Sequence, residues 1–197
     1  MHSDLRESAV RQAARVSPNA RIVDAAARGD QTAWKQLVER YSGLLWAVAR
    51  AHRLERSDAA DVVQTSWLRL IEHLAEIRNP EGVGAWLATT ARRESLRTLR
   101  RSARSEPFDG SEPQAVAADL DERLLRDERD AALWRAFGRL PARDQALLRL
   151  LTTDPAPSYG EIGAALAMPI GSIGPTRGRA LERLRRELRR SSAPEID

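Results

Sequence analysis

Apolar residues recur every three or four positions through most of this chain, and no stretch alternates them with polar residues for long. That spacing lines one side of a helix with 3.6 residues per turn and does not suit a half-buried strand. From Ile22 to Ala51 the pattern runs Ile22, Ala26, Trp34, Leu37, Val38, Tyr41, Leu44, Leu45 and Val48. After the loop HRLERS, Ser57 or Asp58 is placed to cap a helix whose apolar face is Val63, Trp67, Leu70, Ile71, Leu74 and Ile77. Asn79-Pro80-Glu81-Gly82 breaks that helix, and Gly84 loosens the start of another near Trp86. Trp34, Trp46, Trp67 and Trp134 all fall at core spacing, as packing residues or in part as interface. The spacing predicts an all-α chain.

Composition divides it. Ser102 to Leu120 is rich in Pro, Gly, Ser and acid, and reads as a flexible acidic linker. The expected layout is a polar tail over 1–21, a helical domain over 22–104, the linker over 105–120, a helix-turn-helix domain over 121–191 and a short tail over 192–197. Leu140-Pro141 starts a helix through Leu151, with Pro141 suited to its first turn. With no cysteine, disulfides and cysteine-held zinc are excluded and a cytoplasmic location is allowed. No apolar run approaches the roughly 20 residues that span a bilayer, and the N-terminal sequence lacks a signal peptide's apolar core.

Two helices carry the charge. The net charge is +4 and Lys35 is the only lysine, so the basic residues are almost all arginine, whose planar fork suits phosphates and guanine edges. In Trp86 to Arg104 one face holds Trp86, Thr90, Arg93, Arg97, Arg100, Arg101 and Arg104, with Ala88, Ala91, Ser95, Leu96, Leu99 and Ala103 opposite. That face reads as a surface that tracks phosphates and reads bases, with Trp86 as a stacking platform. In the second half, Ser158-Tyr-Gly-Glu161 fits a capping box, and Ile162, Leu166, Ile170 and Ile173 follow at helix-turn-helix spacing. Gly163 permits the close helix crossing such a motif needs. Ser172 is placed to cap the second helix, with Pro175 in its first turn. Ser172, Thr176, Arg179, Arg183, Arg186 and Arg190 then face one way, and the first of them enter the major groove. Arg177 falls on the apolar side and snorkels to its rim.

Other chemistry is weakly signalled. A metal site would recruit Asp61, Glu72, Glu76 and His73, and a metal-dependent hydrolase Asp58, Asp61, Glu72 and His73, but the spacing matches no standard ligand set. His52 and His73 read as surface or rim residues. Neither a phosphate loop after a strand nor a nucleophile elbow is present. No catalytic residue, metal or cofactor is expected, and the chain is not expected to be an enzyme. A helix-turn-helix regulator with an N-terminal sensor or dimerisation domain would explain the second half, but not the arginine face at Trp86.

Four segments in this order, DAADVVQTSWLRL (58–70), GAWLATTARRESLRTLRR (84–101), LPARDQALLRL (140–150) and SYGEIGAALAMPIGSIGPTRGRALERLRREL (158–188), resemble a bacterial RNA polymerase sigma factor of the extracytoplasmic-function (ECF) type, in the sigma-70 family. The resemblance implies two small helical domains on a flexible linker, which bind core polymerase and open promoter DNA. It implies that Asp58, Asp61, Gln64 and Trp67 dock on the clamp helices of the largest polymerase subunit. It implies that the loop from Arg78 to Gly84, with Asn79, Pro80 and Glu81, captures a flipped base of the minus-ten element. The helix carrying Trp86, Thr90, Arg93, Arg97, Arg100 and Arg101 would read that element and part the strands. Ser172, Thr176, Arg179 and Arg183 would read the minus-thirty-five element while their domain docks on the polymerase flap. An anti-sigma protein is a usual further partner in the family. Four positions depart from the family pattern: Thr65 where an acid is frequent, Arg93 and Arg97 where Asn and Asp are common, and Ala167 where relatives carry a turn glycine.

Overall fold

The computed structural model describes residues 18–105 and 128–192. The expected linker from residue 106, the first 17 residues of the expected tail, the opening of the second domain and the last five residues lie outside that description. Within it the chain forms eight α-helices and no strand: α1 (Pro18–Ala27), α2 (Gln31–Ala51), α3 (Arg56–His73), α4 (Val83–Ser105), α5 (Glu128–Gly138), α6 (Ala142–Leu151), α7 (Tyr159–Leu166) and α8 (Ile170–Ser192). Two 3₁₀ turns, Leu74–Glu76 and Pro80–Gly82, bridge α3 to α4.

Helix boundaries follow local chemistry. Pro18 opens α1 inside the stretch expected to be tail, because proline fits a first helical turn. The side chain of Asn19 then ties α1 down: it donates to the Pro80 carbonyl (2.9 Å) and accepts from the Tyr41 hydroxyl (3.1 Å). Gly29, at φ +88, makes the turn that lets Asp30 cap α2 through the amides of Thr32 and Ala33. Neither Ser57 nor Asp58 caps α3. The N-cap is Glu55, with no side-chain bond, and α3 starts one residue before Ser57. Pro141 stands just outside α6 as its N-cap rather than in its first turn, while Gln145 Nε2 donates to the carbonyls of Gly138 and Leu140 and staples the α5–α6 turn.

α1 to α4 pack around Leu37, Leu45, Val48, Val62, Leu70 and Leu87. The same buried cluster continues into the second half through Leu147, Leu150, Ile162, Ala165, Met168 and Ile173. α7 lies along α4, and α6 lies along α2. A smaller cluster of Phe137, Leu140, Leu148 and Ala180, with Trp134 edge-on to Phe137 at 5.6 Å, joins α5 to α8. The two helical halves therefore share a core. Two apolar assignments in α2 and α3 change: Ile71 is 60% exposed and Val38 is 43% exposed, while Trp46, at 36%, stands partly at the surface. The period-3.6 pattern is broad enough to include such positions, but tertiary packing turns Val62 and Ser66 inward along with the expected Leu70.

Candidate nucleic-acid interface

α4 begins as a core helix and ends as a charged rod. Leu87, Ala88, Ala91 and Ser95 are buried, and the Ser95 hydroxyl donates back to the Ala91 carbonyl (2.8 Å). The opposite side carries Arg93, Arg97, Arg100 and Arg101, all exposed, with Trp86 and Thr90 half-buried at its start. Leu99, expected on the apolar side, is 38% exposed, since the last turns of α4 extend past the helices that cover its first half. Arg92 points the other way, with a buried Nε that has no hydrogen-bond partner. Its charge adds to burial in lowering the pKa of His52, burial being the larger cause. His52 is half-buried, a rim residue whose Nε2 is itself buried and without a hydrogen-bond partner.

Beside Trp86 the α3–α4 connection forms an open cleft of about 460 Å³, lined by His73, Glu76, Ile77, Arg78, Asn79, Gly82 and Trp86. His73 lies 6.2 Å from the Trp86 ring, tilted by 58°, and its Nδ1 bonds Glu76 (2.9 Å). Asn79 caps the following turn, accepting from the Glu81 amide (3.2 Å). Aromatic, acidic and basic groups thus converge in this cleft; of the three loop residues expected there, Asn79 lines it and Pro80 and Glu81 do not. The sequence marked this loop, but His73 and Glu76 join the cleft only through the 3₁₀ turn after α3. With His73 turned to Glu76, the described residues hold no group of three acidic or imidazole side chains that could take a metal ion.

α3 presents a second surface. Asp61 and Gln64 are exposed, Asp58 and Thr65 are half-buried, and Trp67 packs against the core. The exposed apolar residues among them are Leu68 (53%) and Ile71 (60%). Sequence periodicity missed Leu68 and placed Ile71 inside.

In the second half the capping box forms as expected: the Glu161 amide donates to Ser158 Oγ (3.3 Å), and the Ser158 amide donates to Glu161 Oε2 (2.6 Å). Gly163 permits a tight helix crossing, since a Cβ there would meet the Met168 carbonyl at 2.9 Å. The turn residue Ala167 is left-handed, at φ 50 and ψ 49, so an alanine occupies the geometry that glycine adopts without strain. Ser172 does not cap α8. That helix begins at Ile170, and the hydroxyl of Ser172 donates to the Pro169 carbonyl (2.7 Å). Pro175 accordingly lies in the second turn, where it forfeits one backbone bond. Thr176 is half-buried, and Arg179 is exposed with its guanidinium donating to Thr176 Oγ1 (3.1 Å). Arg177 is exposed. Arg183 departs most from expectation: its guanidinium is paired with Asp144, a carboxylate from α6 that is 3% exposed. Farther along, Arg185 pairs with Glu182 (3.0 Å) and Arg190 with Glu187 (3.2 Å).

The sigma-70 region 2 family profile matches residues 37–105, which hold α3, the cleft and α4. Full-length relatives extend the likeness. The ECF RNA polymerase sigma factor RpoE of Cereibacter sphaeroides is 27% identical over 168 residues, 81% of this chain and 88% of that protein. The ECF RNA polymerase sigma factor SigM of Mycobacterium tuberculosis is 28% identical over 170 residues, 86% of this chain and 84% of that one. Among solved structures, CnrH in complex with the cytosolic domain of CnrY aligns with a TM-score of 0.59 at 22% identity, covering 89% of this chain and all of that one. The sigma factor RpoE of Bartonella quintana, crystallised with the anti-sigma factor NepR, aligns with a TM-score of 0.55 at 24% identity, covering 79% of this chain and 96% of that one. These last two share the fold, and in sequence the chain is similar to extracytoplasmic-function sigma factors of the sigma-70 family, with residues 37–105 matching sigma-70 region 2.

Proposed function

We propose that this sigma factor binds core RNA polymerase through α3, reads and opens the minus-ten element with α4 and the cleft before it, and reads the minus-thirty-five element with the start of α8. On this reading the chain is a non-catalytic subunit that works in the cytoplasm, and α1–α4 and α5–α8 are its two working domains. Among the described residues no helix is long and apolar enough to cross a membrane. An anti-sigma protein is a natural further partner, as the Bartonella relative's complex illustrates.

The observation that carries the reading is the exposed row Arg93, Arg97 and Arg100 running on from the Trp86 cleft, within the segment that matches sigma-70 region 2. Opening a duplex costs roughly 1.4 kcal/mol per base-pair step. A protein that consumes no nucleotide offsets that cost only by holding the separated strand more tightly than the duplex. Trp86 offers a stacking face, and His73, Glu76, Arg78 and Asn79 offer donors and acceptors to an unpaired base. The arginines beyond hold the backbone. Asp61 and Gln64, with Leu68 and Ile71 added to the set expected from sequence, form the polymerase-facing surface. For duplex readout, Ser172, Thr176 and Arg179 remain as proposed, while Arg183 acts in stability through Asp144.

Run-off transcription with core polymerase tests the proposal. Factor-dependent transcripts are expected from some genomic promoters, and their absence from all of them would defeat it. Replacing Arg93, Arg97 and Arg100 together by alanine is expected to lower the slope of log affinity against log salt by about two for single-stranded minus-ten DNA.

A further inference from the structure

We propose that α8 selects its duplex element through the methyl groups of thymine, with Ile170 as the side chain that meets them. The inference rests on the reading of α8 as the duplex-reading helix and names what that helix recognises.

The polar groups at the start of α8 are already engaged. The Ser172 hydroxyl has one proton to donate, and it goes to the Pro169 carbonyl (2.7 Å). Thr176 is half-buried, and its Oγ1 accepts from the Arg179 guanidinium (3.1 Å). The side turned away from the buried Ile173 and Ala180 carries Gly171, Gly174, Pro175 and Gly178, all exposed. No side chain among these four donates or accepts a hydrogen bond. Arg177 and Arg179, both exposed, lie on the two flanks of that side. They are placed for the phosphates that wall a major groove rather than for its floor. Base edges are read by hydrogen bonds from forked groups such as Asn, Gln or Arg, and the outward side of these turns has none.

What is left for the floor of the groove is apolar. Ile170 is the first residue of α8 and is 58% exposed. It is also held in position. A Cβ on Gly163 of α7 would stand 3.6 Å from Ile170 Cγ1, so the side chain leans across α7. The Ser172 amide closes the first turn on the Pro169 carbonyl (2.9 Å). A Cβ on Gly171 or Gly174 would meet nothing within 4 Å, so no neighbouring side chain keeps a duplex away from Ile170. The leading residues of the second helix in a helix-turn-helix are those that meet base edges. Among the four bases only thymine offers an apolar group in the major groove, its C5 methyl. An aliphatic side chain at the leading end of α8, between two guanidinium flanks, matches that group.

Binding of holoenzyme to a duplex minus-thirty-five element tests the assignment, with each thymine replaced in turn by deoxyuridine. That exchange removes one methyl group and leaves every hydrogen-bonding group in place. At one or more positions the unmodified protein is expected to bind the deoxyuridine duplex about fourfold more weakly, the worth of one buried methyl. Ile170→Ala is expected to bind both duplexes alike, at the level of the unmodified protein on deoxyuridine. Ile170→Val is expected to keep most of the preference. Urea midpoints are expected to stay where they are in both variants, since Ile170 is exposed, so a lost preference does not report a lost fold. Equal affinity of the unmodified protein for the two duplexes at every position overturns the proposal, and so does a preference that survives in Ile170→Ala. If holoenzyme transcribes from no promoter, the sigma-factor reading fails instead. Duplexes selected by the full chain from a random library, copied with thymidine or with deoxyuridine, then decide the methyl reading by the same two criteria.

Discussion

The arginine row of α4 and the arginine row of α8 look alike in sequence but are placed differently. On α4, Arg93, Arg97 and Arg100 point to solvent at the end of a helix anchored by its apolar first half. On α8, Arg183 is drawn to the buried Asp144, while Arg185 and Arg190 pair with neighbouring carboxylates. A helix that reads base edges in a duplex must be held at a fixed angle, and an ion pair to the next helix fixes it. A helix that follows a strand as it separates benefits instead from charge left free to move. Spacing of charge along a helix therefore does not by itself identify a DNA contact. What lies across from each guanidinium decides.

The sharpest test sets Arg183 against Arg97. Arg183→Ala leaves the Asp144 carboxylate buried without its partner, and is expected to cost about 3 kcal/mol of stability. Asp144→Ala is expected to cost less, about 1–2 kcal/mol, because Arg183 is 41% exposed and can turn to water. Arg97→Ala should leave stability unchanged and weaken DNA binding. Urea unfolding measures the first pair and fluorescence anisotropy the last. Equal destabilisation by Arg183→Ala and Arg97→Ala would erase the contrast.

A second test concerns the kind of DNA each half holds. Trp86→Ala should weaken binding of holoenzyme to single-stranded minus-ten DNA by about 1–3 kcal/mol, the usual worth of one base stacked on an aromatic ring. Affinity for a duplex minus-thirty-five fragment should not change, and Trp86→Phe should recover much of the loss. Anisotropy titrations on the two probes decide the matter. A loss shared equally by both probes would mean that Trp86 supports the fold rather than a base.

Local chemistry was legible in the sequence, and long-range chemistry was not. The capping box at Ser158 and Glu161, the break at Asn79-Pro80 and the crossing at Gly163 each depend on residues a few positions apart. The partners Arg183 and Asp144 are 39 positions apart, and Gly84 meets Glu161 from the other half of the chain. No periodicity encodes such meetings. Helical spacing also blurs which of two adjacent positions turns inward: Leu70 is fully buried, while Ile71 beside it is 60% exposed. Resemblance to a family supplied roles for Asp61, Gln64 and the Arg78–Gly84 loop that the residue pattern alone did not carry. It pointed equally to Arg183, where the structure shows an ion pair.

Each half also contains one strained turn, and these give the smallest and most local test. Arg53 between α2 and α3 has φ 59, and Ala167 between α7 and α8 has φ 50. A left-handed residue with a Cβ costs roughly 1–2 kcal/mol, and glycine there gives back part of that gain through its looser unfolded state. Arg53→Gly and Ala167→Gly are each expected to stabilise the chain by about 0.5–1 kcal/mol in urea unfolding. Glycine at 167 keeps the turn and so the angle of α8, and the affinity for minus-thirty-five DNA should hold. If Ala167→Gly stabilises the fold but loosens DNA binding, the stiffness of that turn aims the recognition helix, and the second half depends on rigidity at its turn as well as at Asp144. If Arg53→Gly alone weakens DNA binding, the greater need for rigidity lies in the first half, and the contrast between the two arginine rows is reversed.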